Sequence, residues 1–161
     1  MEIDFTYSDV WLLLAVAQAE REAQRPRRRR STVPQADGAT LASIYGWCDA
    51  INHSVFTPQE LRRGFAKLYS AGYVVDYGGR FGVTDAGRAL LSRAGYPEAS
   101  PWQAWPRIES LMNAAADRPR LATFEDPAWP YPSITDAVAK EAEAEYREWF
   151  DAKERRRRGE R

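Results

Sequence analysis

Residues Thr57 to Leu91 read TPQELRRGFAKLYSAGYVVDYGGRFGVTDAGRALL, and this stretch decides the fold. Thr57 suits an N-cap, Pro58 the first helical position and Glu60 the return contact of a capping box, while Gly72 supplies a stop. Leu61, Phe65 and Leu68 recur at helical spacing as one apolar face. Gln59, Arg62, Arg63, Lys67 and Ser70 fall on the other. The runs Tyr73–Tyr77 and Arg80–Thr84 then flank Gly78-Gly79, a two-residue loop able to take the positive φ angles of a tight hairpin. Thr84 or Asp85 caps another short helix with Ala86, Leu90 and Leu91 as apolar positions.

The pattern AGYVV…GGRFGVTDAGRALL resembles the wing and following helix of MarR-like and PadR-like transcriptional regulators, within the winged-helix DNA-binding superfamily. The resemblance spans roughly residues 8–95. It implies a mainly α fold with a small β-hairpin wing, a winged helix-turn-helix domain over 1–95. A Trp/Pro-rich segment and a C-terminal amphipathic helix follow over 96–161. It also implies a regulator that reads the major groove of double-stranded DNA with the 57–71 helix. Gln59, Arg62, Arg63 and Lys67 would face the DNA, and Arg80 beside the glycine turn would reach phosphate or the minor groove.

A chain of 161 residues suits one buried domain with an extension, and its 44% hydrophobic and 12% aromatic content argues for a genuine core. No apolar run approaches the ~20 residues that cross a bilayer. The longest, Val10 to Ala19, follows acidic Glu2 and Asp4 rather than a basic leader, so a cytoplasmic protein is expected, with no membrane partner. A single cysteine, Cys48, excludes an internal disulfide, and its simplest role is that of a small buried apolar residue. His53 is the only histidine, best placed as a helix-terminal residue; with no metal-ligand spacing and no nucleophile–base pair, neither a cofactor nor an enzyme activity is expected.

The formal net charge is zero, unusual where affinity comes from phosphate contacts. From Thr57 to Pro97 there are six basic residues (Arg62, Arg63, Lys67, Arg80, Arg88, Arg93) against three acidic ones (Glu60, Asp76, Asp85), a modest local excess of three. Arg27, Arg28, Arg29 and Arg30 form a basic loop that either touches phosphates or stays solvated; a short strand near Thr32-Val33 could join the wing sheet.

Elsewhere, Ile3, Phe5 and Tyr7 alternate as an extended arm, Ser8 or Asp9 caps a first helix, and Thr40 to His53 reads as a second. Pro106 opens a short helix carrying Ile108, Leu111, Met112 and Ala115. Around it, the segments with Trp102, Trp105 and Trp129 are either extended chain pinned onto the domain or a proline-rich ligand for a protein partner. From Ser133 to about Lys153 an amphipathic helix carries Ile134, Val138, Ala142, Tyr146, Trp149 and Phe150 as a stripe. It either pairs two copies into a homodimer or folds back on its own chain. Residues Glu154 to Arg161 are expected to fray as a basic tail.

Overall fold

The computed structural model describes residues 4–25, 37–114 and 134–159. Among these the protein is mainly helical with one two-stranded antiparallel hairpin, in the order α1 (Tyr7–Ala23), α2 (Leu41–Asn52), α3 (Pro58–Ser70), β1 (Val74–Asp76), β2 (Phe81–Val83), α4 (Asp85–Arg93), α5 (Pro101–Ala114) and α6 (Asp136–Arg157). The expected strand near Thr32-Val33, like Ile3 and Trp129, lies outside the described residues.

Helix α1 is the axis of the core. Seven consecutive residues, Val10 to Val16, are buried, so the helix is covered on all sides rather than on one stripe. It starts earlier than Ser8, because the Asp9 carboxylate reaches back to accept from the Thr6 N–H at 2.7 Å and the Thr6 hydroxyl at 3.0 Å. The arm ahead of it is pinned to α5, where the Phe5 N–H donates to Asn113 Oδ1 and the Asn113 amide returns a bond to Phe5 O.

Helix α2 is capped by Thr40 and ends at His53, whose backbone takes a left-handed φ of 52° and whose N–H donates to Asp49 O. Helix α3 has the full capping box of Thr57 and Glu60 with Pro58 at its first turn. It crosses α1 where Gly64 leaves room: a Cβ there would lie 2.6 Å from Leu12 Cδ2. The chain then turns at Gly72, and the Tyr73 N–H donates to Leu68 O, which fixes the hairpin to the end of α3. The Phe65 and Phe81 rings, 4.8 Å apart, pack that joint.

In the hairpin Val74 pairs with Val83, Val75 with Gly82 and Asp76 with Phe81. Gly78 and Gly79 both adopt positive φ, 77° and 92°, as a two-residue loop of this hand requires. A single bridge adds Ala39 beside Phe81, through reciprocal backbone bonds of 2.7 and 2.9 Å.

Helix α5 begins at Pro101, not at Pro106, which sits inside it. The reason is a capping box one turn earlier: Ser100 and Gln103 exchange side-chain and backbone bonds, and Pro101 then takes the first helical position. The 102–105 segment is therefore helical rather than extended. Of its two tryptophans Trp105 is buried, stacked between Tyr7 at 4.1 Å and Trp102 at 5.2 Å, and Trp102 remains 53% exposed.

Helix α6 is capped by Thr135, whose hydroxyl accepts from the Val138 N–H, and it runs through Arg157 instead of fraying at Glu154. Its basic last turn favours that continuation, since Arg155, Arg156 and Arg157 face the negative end of the helix dipole. The hydrophobic core is continuous from Phe5 to Tyr146 and includes residues of α5 and α6.

Candidate nucleic-acid interface

Helix α3 is held on three sides. Leu61, Phe65 and Leu68 enter the core, Gly64 meets α1, and Lys67 turns inward. The outward face that remains carries Gln59 and Arg63 near the capped N-terminus and Tyr69 and Ser70 near the other end. Beyond Gly72 the hairpin tip adds exposed Tyr77 and Gly78.

The five residues expected to contact DNA do not form one surface. Gln59 and Arg63 are exposed together on α3. Lys67 is not on that face. Only 6% exposed, it donates through Nζ to Asp9 Oδ2 at 2.8 Å and to Asp4 O at 3.1 Å, so its ammonium charge is spent on a buried carboxylate that also caps α1. Its stem lies on the seam between α1 and α3, where helical spacing alone cannot distinguish a solvent-facing lysine from an inward one.

Arg62 sits at the rim, half-exposed, and donates to Asp136 Oδ1 at 2.7 Å across to the first residue of α6. With both side chains open to water this ion pair is weak. Arg80 is turned sideways: Nε donates to Asp37 O at 3.1 Å and Nη2 to Gly38 O at 2.8 Å. It clamps the segment before α2 against the hairpin, and the charge left at the tip is the Asp76 carboxylate, which accepts from the Gly79 N–H at 2.6 Å. Arg27, Arg28, Arg29 and Arg30 lie outside the described residues.

A second buried charge braces the hairpin from behind. The Glu20 carboxylate, 4% exposed, accepts from the Val83 N–H at 3.2 Å and from Arg88 Nη1 at 2.9 Å, joining α1, β2 and α4. Gly82 makes this possible, because a Cβ there would stand 2.5 Å from Glu20 Oε1. Neither this contact nor the Asp9–Lys67 pair has a local sequence signal, since the partners are separated by 58 to 68 residues.

The stripe on α6 divides in two. Ile134, Ala142 and Tyr146 are buried against the body, together with Ala139, and Tyr146 donates its hydroxyl to Asp49 Oδ2 at 2.7 Å while its ring lies over Gly46. Val138, Trp149 and Phe150 are exposed at 39%, 57% and 38%. The whole stripe therefore cannot serve as a dimer interface: half of it already covers α2 and α3. Burial, and then the Asp49 carboxylate, push the Tyr146 phenol up from its ordinary value, which keeps it a donor.

Cys48 is fully buried, and burial followed by the charge of Asp49 pushes its thiol up, the opposite of what a reactive cysteine needs. Among the described residues no three His, Cys, Asp or Glu side chains group to hold a metal ion. No helix among them is long and apolar enough to cross a membrane. Compared with known proteins, the chain matches no protein family, no curated sequence and no solved structure.

Proposed function

We propose that this protein is a winged-helix DNA-binding regulator in which α3 reads the major groove and the β1–β2 hairpin is the wing. The observation that carries the reading is the exposure of Gln59 and Arg63 on a helix otherwise locked by its capping box, its packing on α1 and the hairpin joined to its end. A rigid helix with a polar outer edge and a lateral hairpin suits insertion into a groove about 12 Å wide. Arg63 is the base-reading candidate, Gln59 the second, and Arg62 joins them once duplex phosphates replace Asp136 as its partner.

Selection from a random duplex library with the full chain tests the reading. Enrichment of one motif, lost in Arg63→Ala, supports it; a library that stays unselected overturns it. A second reading, a winged-helix module that binds a protein instead of DNA, is favoured by one contact: Asp136 lays an acidic side chain on the same face, as an acidic protein partner would.

A further inference from the structure

We propose that the trough between α4 and α5 docks a short amphipathic helix of a partner protein, one whose apolar side chains lead into acidic ones. The trough consists of two adjoining hollows of about 350 and 390 Å³ that share Arg93 and Leu111. Tyr73, Ala86, Ala89, Leu90 and Ala114 complete the first, and Pro106, Arg107 and Ser110 the second. Along α4 it runs from Ala86 to Arg93, about 10 Å at the helical rise of 1.5 Å per residue, which is the length of two helical turns.

Small side chains shape it. Ala86 and Ala89 are exposed on α4 and Ala114 on α5, above a floor of buried Leu90 and Tyr73 and half-buried Leu111. With methyl groups at its edges, another helix axis can approach closely and still bury apolar surface.

The charge is gathered at one end. Arg93 and Arg107 both line the second hollow, neither makes an ion pair among the described residues, and no acidic side chain among those residues lines either hollow. Arg107 leans over the end of α4, its Nη1 lying 3.6 Å from where a Cβ on Gly95 would stand. Arg93 stands over the apolar end as well: burial pushes the Tyr73 phenol up, and the Arg93 guanidinium pulls it part of the way back. An apolar floor that ends in two cations with no acid beside them is the complement of an apolar helix that ends in carboxylates.

That polarity selects the occupant. A second copy set trough to trough supplies no acid to either arginine, because the same surface then faces itself. Duplex phosphates would meet the arginines but leave the apolar floor uncovered. A helix with apolar residues spaced at three and four lays them over Leu90 and Leu111 and carries its acids to Arg93 and Arg107. The trough shares no residue with the outer edge of α3, so the inference does not depend on DNA binding.

Selection of a phage-displayed library of amphipathic helices on the full chain, with leucines fixed at that spacing and the polar positions randomised, provides the test. Wild type is expected to enrich Asp and Glu toward one end of the helix. The selected sequence, made as a labelled peptide, is then titrated by anisotropy. Arg93→Glu with Arg107→Glu is expected to weaken its binding about tenfold or more, and to bind instead the same peptide with its acids changed to lysine. Ala89→Trp, which fills the trough, is expected to abolish binding of the selected peptide. These three side chains are exposed, and both variants are expected to keep the wild-type circular dichroism and melting temperature. A library without acidic enrichment, a peptide that binds wild type and both variants alike, or a charge-reversed chain that does not take the lysine peptide overturns the proposal. So does sedimentation that finds the trough closed by a second copy, as a dimer that Ala89→Trp dissociates.

Discussion

Removing the Lys67 ammonium should damage folding rather than DNA affinity, and the size of the loss follows from the geometry. Asp9 and Lys67 are 3% and 6% exposed and meet at 2.8 Å. In Lys67→Met the methionine fills most of the lysine's volume, so little is lost in packing. Asp9 keeps its bonds from the Thr6 N–H and hydroxyl but loses its counter-charge. An uncompensated buried carboxylate of this kind costs about 3–5 kcal/mol, a third or more of the total stability of an ordinary domain. Asp9→Asn added to Lys67→Met removes the stranded charge while the amide oxygen can still cap α1, so the double variant should recover most of the loss. Urea denaturation should show the single variant's midpoint falling at unchanged slope, with the double variant in between. A single variant within ~1 kcal/mol of wild type, or a double variant less stable than the single, refutes the argument that Lys67 is held inside by Asp9.

Alkaline pH should destabilise the protein through groups that burial keeps protonated. Cys48, with an ordinary value of 9.0, and Tyr45, Tyr73, Tyr96 and Tyr146, with ordinary values of 10.0, are all shifted upward in the folded state. The folded chain thus holds more protons than the unfolded one once pH exceeds those ordinary values, and stability, complete below pH 9, should fall steadily above it; a melting temperature that is flat or rising from pH 9 to 11 contradicts this. Gly87→Ala should destabilise by about 1–3 kcal/mol, although alanine is the better helix former, because its methyl would meet the Tyr73 carbonyl oxygen and stand 2.6 Å from Val83 Cγ1. Thermal melts of the variant that match or exceed wild type would show that the α4–hairpin joint can open.

Local chemistry in the sequence predicted the local structure well. The capping box at Thr57, the stop at Gly72, the Gly78-Gly79 turn and the Thr84 cap each depend on neighbours within four residues, and each appears as read. Errors came where two local signals competed, as at Pro101 and Pro106, both acceptable first positions; the Ser100–Gln103 box decided between them. The candidate interface was less legible because its composition depends on contacts between distant residues. Periodicity put Lys67 on the polar face of α3, but its partner is an aspartate 58 positions away. Likewise Arg62 meets Asp136 and Arg80 meets the carbonyls of residues 37 and 38, and no spacing rule announces either contact. The α6 stripe was visible, but an unbroken apolar pattern does not show where the body ends and open helix begins.

The central claim, that the outer edge of α3 engages duplex DNA, is tested most directly by anisotropy titrations of the full chain on the duplex its selection returns, repeated across a series of salt concentrations. The logarithm of affinity should fall linearly with the logarithm of salt. Asp136→Ala, which frees Arg62, should bind at least as tightly as wild type. Arg63→Ala should lose about 1–3 kcal/mol if it reads a base, or about one unit of slope if it holds a phosphate, while melting as wild type does. Salt-independent binding, or an Arg63→Ala variant that matches wild type in both affinity and slope, contradicts the account.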